Sequence, residues 1–340
     1  DMAKLKYEFL DHYFQVNGLP FRNKIFGHIN KINRLGSRFA PFSNWASNNP
    51  IGKFFAGMIL GVHSRRSFPA FARETLPNWF AGREIPLNPP LRKGETDNVV
   101  TKDTVVLFND TFMNYNYPQV GKAAVELLEA AGLQVVLANG GCCGRPMISK
   151  GMLDEATAHA RDTVDLLYPY AEQGIPIIGC EPSCLLTFRD EYPELVKNEK
   201  SAKVAENSYM IDEFLTMLAE KGELKLEFKA ADKKILFHGH CHQKSLAGTD
   251  SSLAALRLPP GNEVELINAG CCGMAGSFGF EKEHYQVSMD IGEYALFPAV
   301  NAKEPEWEVA VMGVSCRQQI EHGTGRPARH LVEVLRDSLA

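Results

Sequence analysis

The sequence predicts an α/β protein of two duplicated lobes, each built on a parallel sheet and preceded by a mostly helical arm. Strand-like and helix-like segments alternate from Thr104 onward. The alternation runs twice in the same order, the mark of an internal duplication. A Cys-Cys-Gly triplet stands at the corresponding place in each round.

The elements follow in order. Thr104–Phe108 (TVVLF) is a β-branched apolar run and reads as a buried strand. Residues 118–131 read as a helix, with Pro118 at the start and Gly132 just past the end. A second strand is expected at 134–137, a second helix at 153–172 and a third strand at 175–178. The second round gives strands at 234–237, 263–267 and 308–312, the last of the chain, with helices at 251–258 and 281–299. The region before Thr104 differs. From His12 to Ala72 there is no Asp or Glu, but there are eight Lys or Arg and many aromatic residues. Residues 21–42 read as one amphipathic basic helix, and 86–98 as a linker. The expected domains are 1–98 (helical basic arm and linker), 99–232 (first Cys-Cys-Gly lobe) and 233–340 (second Cys-Cys-Gly lobe).

Bulk properties exclude several classes. Apolar residues make up 45 % and charged residues 23 % of the 340, a globular composition. Net charge is −5, so no nucleic-acid partner is expected. No apolar stretch approaches the ~20 residues of a membrane span, and no secretory signal is evident. No G-x-G-x-x-G follows a strand, and there is no P-loop. The opening Asp1-Met2 reads as the interior of a longer chain.

The eight cysteines carry the candidate chemistry: Cys142, Cys143, Cys180, Cys184, Cys241, Cys271, Cys272 and Cys316. Adjacent pairs make a poor disulfide framework, and such clusters more often bind metal. In the second lobe Cys241 follows the first strand, Cys271 and Cys272 the second, and Cys316 the third. Same-handed crossovers leave the strands parallel, so all these thiols emerge at the carboxyl edge, where open α/β sheets bind ligands. The first lobe repeats the layout with Cys142, Cys143 and Cys184. Positions 111 and 142 are 31 residues apart, and 241 and 271 are 30 apart. Thr111 stands where the second lobe has Cys241, with Asp110 beside it as a substitute ligand, and Cys180 is an extra thiol. Gly144 and Gly273 close the triplets and let backbone N–H groups approach a bulky cofactor; Gly140, Gly141, Gly270 and Gly276 extend that permissive backbone. By ligand type alone, an iron–sulfur cluster and tetrahedral zinc both suit four thiolates. A zinc-stabilised assembly domain and a vicinal-thiol redox enzyme are the alternatives to electron transfer.

Alternation along an extended strand would put His238, His240 and His242 on one face, opposite Cys241, in a structural or hydrogen-bonding role. Arg189, Asp190, Glu191, Glu281 and Glu283 read as solvated helix starts.

The segments CCGRPM, EPSCLLTFRDEYPEL, HGHCHQK, GCCGMAGSFGFEKEHYQVSM and SCRQQIEHGTGRPARHL carry a family resemblance. The chain resembles the cysteine-rich (Cys-Cys-Gly) domain pair found in heterodisulfide reductase. It also resembles the iron–sulfur subunits of anaerobic glycerol-3-phosphate dehydrogenase and glycolate oxidase. A further likeness is to the C-terminal part of fused FAD and iron–sulfur oxidoreductases of the D-lactate or D-2-hydroxyacid dehydrogenase kind. The resemblance implies an electron relay with the cysteines as [4Fe–4S] ligands. It places FAD and ferredoxin-type domains upstream as partners, and a quinone or membrane surface as the electron outlet. A cytoplasmic protein is implied, with a peripheral place on the inner face of the cell membrane as a variant. The fragment alone is expected to lack dehydrogenase activity. The family pattern has five cysteines per lobe. Here Gly313 replaces the first Cys of the second lobe's Cys-x-x-Cys, and Cys180 lies one place from the usual position in the first. The second lobe thus keeps four, which suit an ordinary [4Fe–4S] cluster rather than a five-thiolate one.

Overall fold

The computed structural model describes residues 2–83, 103–138 and 141–340. The linker expected at 86–98 and Gly140 lie outside them. In the first lobe the strands are β1 (Thr104–Phe108), β2 (Gln134–Ala138), β3 (Ile177–Gly179) and β4 (Ser208–Met210). In the second they are β5 (Lys234–His238), β6 (Glu263–Leu266), β7 (Trp307–Val311) and β8 (Ala328–His330). Each lobe forms one four-stranded sheet, in the orders β2-β1-β3-β4 and β6-β5-β7-β8. All pairings are parallel. Covered on both faces, parallel strands read as continuous apolar runs, and every residue of β1 is buried.

The shared order places a crevice in each sheet. The chain leaves β1 for β2 on one side, then returns to β3 on the other. The order therefore reverses between β1 and β3, and again between β5 and β7. Such a switch point opens at the carboxyl ends of the strands.

The lobes pack about a pseudo-two-fold axis. The helix after β4 (Ile211–Glu220) packs on a helix of the other lobe, Asp250–Leu256. In the same way the helix after β8 (Leu331–Arg336) packs on Pro118–Ala130. One apolar cluster runs through both lobes, joining Val105, Leu127 and Ile178 to Ile235, Phe237, Ala310 and Leu335. At its edge Asp212 is buried and accepts from Gln243 Nε2 at 3.0 Å and from the Ser252 hydroxyl.

The arm is helical but not one helix. The basic helix expected at 21–42 breaks at His28 into Phe21–Gly27 and Ile29–Arg38. It stops at Phe39, because the residue before Pro41 disfavours helical backbone. Tyr7 of helix Met2–Asn17 enters an apolar cluster with Met147, Ile148 and Met152. Further on, Val62 bridges to Glu281, and the His63 N–H donates to Phe280 O at 2.8 Å.

Other expectations also need correcting. The strand expected at 308–312 is β7, and β8 follows it. The helix expected at 281–299 starts later, as Tyr285–Asn301 after a short 3₁₀ turn. The charges expected to be solvated are paired. Glu191 is buried and meets Arg145, Asp190 pairs with Lys4 at 2.8 Å, and Arg189 pairs with Glu213 at 2.7 Å. Glu281 is buried and meets Lys150 at 2.7 Å, while the more exposed Glu283 pairs with Arg22. Most of these partners come from segments remote in sequence.

Candidate metal centre

The second lobe gathers its thiols at the β5/β7 switch point. Cys241 is the first residue of helix Cys241–Leu246, which follows β5. Cys271 and Cys272 follow β6. Cys316 lies in the first turn of Val314–Thr324, after β7. A helix N-terminus favours thiolate over thiol. The thiols act on one another in series: Cys241 with Cys271, Cys271 with Cys272, and Cys272 with Cys316. The neighbouring Cys241, and then Cys272, hold the Cys271 thiol well below its ordinary range. Cys316 is held down first by Cys272, with His238 adding to the effect. Cys241 is exposed and Cys271 half-buried, whereas Cys272 and Cys316 are buried. The string therefore leads from the surface to the interior.

The Cys-Cys-Gly triplets work as the same device in both lobes. Gly144 and Gly273 adopt left-handed backbone, with φ of 79° and 92°. That turn aims the Gly273 N–H at Cys271 Sγ (3.3 Å) and the Gly144 N–H at Cys142 Sγ (3.4 Å).

In the first lobe Cys142, Cys143 and Cys184 make a shorter string, all buried. Cys143 Sγ lies 3.1 Å from Cys184 Sγ, and Cys142 contacts Cys143. The bond from Cys143 lowers Cys184, but burial, Asp110 and Glu181 raise it to about 12. Thr111 opens helix Thr111–Tyr115 as Cys241 opens its own, and its hydroxyl donates to Asn30 Oδ1 at 3.4 Å. Asp110 caps that helix, its Oδ1 accepting from the Phe112 and Met113 N–H groups. Burial, with Glu181 behind it, pushes the Asp110 carboxyl up to about 7. Cys180 stands apart: burial raises its thiol, and its charged neighbours are Asp110, Asp212 and Glu181.

Two positions explain the departures from five cysteines. A Cβ at Gly313 would lie 2.5 Å from Cδ2 of His240, so the imidazole fills the space a cysteine there would need. Its pseudo-equivalent, Glu181, accepts from the Ser183 N–H of its own helix at 3.3 Å and from the Val314 N–H of the other lobe at 2.9 Å. One carboxylate thus joins two helix N-termini across the axis.

The three histidines do not share a face. His238 ends β5 fully buried, His240 caps the following helix through Nδ1, and His242 lies within that helix. The strand stops at His238, so strand alternation no longer applies. Burial, with Arg145 and His240 behind it, pulls His242 down to about 4.

Three cations escaped the sequence reading. Lys244 donates to Gly270 O at 3.0 Å, and all four second-lobe thiols act on it. Arg145, the residue after the first triplet, is subject to both Cys143 and Cys241, so it faces both lobes' thiols. Arg66 comes from the arm and is buried beside the second triplet. Only Arg145 carried a signal, its place directly after Cys-Cys-Gly.

The donor set fits an iron–sulfur cluster in the second lobe, which offers four thiols; the first offers three and a hydroxyl. Among the described residues no three of these sulfurs lie within 4.8 Å of one another. A tetrahedral zinc would hold its thiolates about 4 Å apart. Side chains that do converge within that limit are Asp190, Glu191 and His242, and Glu281, Glu283 and His284. Lysine or arginine already pairs with their acids.

Residues 106–189 match the family model described as a cysteine-rich domain. The chain is 29 % identical over 321 residues to a subunit of anaerobic glycerol-3-phosphate dehydrogenase from Escherichia coli K12, covering 94 % of this chain and 77 % of the relative. It is 27 % identical over 337 residues to D-2-hydroxyglutarate dehydrogenase of the same strain, covering 98 % of this chain but 32 % of that protein. Lactate utilization protein A of Bacillus licheniformis is 29 % identical over 196 residues, covering 54 % of this chain and 78 % of the relative.

Proposed function

Because this chain carries a cysteine-rich domain and is homologous to these three proteins, we propose that it is the iron–sulfur electron-transfer module of a larger flavin-dependent 2-hydroxyacid oxidoreductase. The observation that carries the reading is the placement of four thiols, drawn from three loops to one switch point. Cys241, Cys271, Cys272 and Cys316 would hold a [4Fe–4S] cluster, which supplies one-electron chemistry when bound. The Gly273 N–H, the helix N-termini and Lys244 stabilise negative charge on those sulfurs. Cys142, Cys143 and Cys184 form an incomplete counterpart, joined to the first set through Arg145.

Electrons would enter from upstream flavin and ferredoxin-type domains and leave to a quinone or other carrier. The arm supports such docking, since Phe9, Phe42, Trp45, Phe54 and Met58 are exposed. Among the described residues no helix is long and apolar enough to cross a membrane.

Elemental analysis of anaerobically purified chain tests the reading. The expected result is about four irons per chain with matching sulfide. Stoichiometric zinc without iron would refute it and favour an assembly domain.

A further inference from the structure

Arg66 is 2 % exposed, yet among the described residues no carboxylate pairs with it. Its Nε donates to Gly279 O at 2.8 Å and its Nη2 to the Ser288 hydroxyl at 3.0 Å. Nη1 is buried without a hydrogen-bond partner. The guanidinium also lies 5.0 Å over the Tyr285 ring. A buried charge with no counter-ion is strongly destabilising, so something must offset it. Cys272 of the second triplet is a thiol that acts on it. Ser288 O would lie 2.2 Å from a Cβ on Gly273, so the residue that anchors Arg66 also packs on the triplet. Burial pulls Arg66 below its ordinary range, while Tyr285 and Cys272 oppose that pull.

We propose that Arg66 is the buried counter-ion of the second-lobe centre, delivered by the N-terminal arm, and that it sets the centre's reduction potential. This rests on the reading of Cys241, Cys271, Cys272 and Cys316 as cluster ligands. A one-electron reduction adds one negative charge to a site already negative through its thiolates. A fixed cation in a dry environment stabilises the reduced form more than the oxidised form. The arm is then part of the redox site as well as a cover for it. Arg66 acts through charge and is a positioning residue only for the loop it anchors.

The test is a redox titration, followed by electron paramagnetic resonance, of anaerobically purified wild type, Arg66→Met and Arg66→Lys. Removing the charge should shift the reduction equilibrium at least tenfold toward the oxidised form, a fall of about 59 mV for one electron. Arg66→Lys keeps the charge and should shift it less than threefold. Equal potentials in wild type and Arg66→Met, with iron content unchanged, would overturn the proposal. If Arg66→Met does not retain iron, Arg66→Lys decides. Iron with near-wild-type potential supports the counter-ion role, and loss of iron there too makes Arg66 merely structural. A wild type with no reducible centre would instead sink the cluster reading itself, so the two failures are distinguishable.

Discussion

At the scale of single residues, small differences set which donors each lobe offers. Thr111 and Cys241 occupy the same place, the first residue of a short helix after the first strand of the lobe. A hydroxyl is a poor ligand for iron where a thiolate is a good one. Thr111→Cys should therefore complete a second four-thiol set, raising iron content by about four atoms per chain. Iron content equal to wild type in a folded variant would show that the first lobe lacks a site for reasons beyond this residue. Gly313 teaches a complementary lesson. It reads as a lost ligand in the sequence, but in space it is room ceded to the His240 ring. No reading of spacing could show that, because the two residues come from different strand ends.

Elements determine how the lobes hold together, and here the contacts are pH-sensitive. Asp212 starts helix Ile211–Glu220 and binds Gln243 and Ser252 of the other lobe. Burial raises its carboxyl to about 6. Folded chains keep that proton up to about pH 6, whereas unfolded chains release it near pH 4. The folded state thus binds more protons in this window, and stability falls as pH rises through it. The net shift corresponds to a loss of about 3 kcal/mol. In Asp212→Asn, the urea midpoint should lose this part of its decline between about pH 4 and 6; pH profiles parallel to wild type would contradict the assignment. Strands such as β1 were legible because buried parallel strands spell continuous apolar runs, whereas β6 (EVEL) is largely exposed and alternates. β4 and β8 are three-residue edge strands with mixed composition, and nothing in SYM or ARH distinguishes them from loop. The arm's breaks follow from Pro41 and His28, whereas its acid-free stretch suggested one continuous helix.

For the whole molecule, the duplication explains why the thiols lie where they do. Two sheets of the same order each reverse at the same place. Between the lobes, Arg145 is acted on by thiols of both, and Glu181 joins two helix N-termini. The cysteines were legible because paired triplets are rare and aligned. The buried cations were not, since a lysine or arginine in sequence looks like any surface charge. On the proposed reading, the four thiols strung from surface to interior, the adjacent incomplete set and the exposed apolar arm would serve as a relay between larger partners. The most direct test is the paramagnetic signal of the dithionite-reduced, anaerobically purified chain and its cysteine variants. A reducible centre should appear in wild type, persist in Cys142→Ser and Cys180→Ser, and vanish in Cys271→Ser and Cys316→Ser. A signal that survives Cys271→Ser and Cys316→Ser but is lost in Cys142→Ser would contradict the assignment to the second lobe.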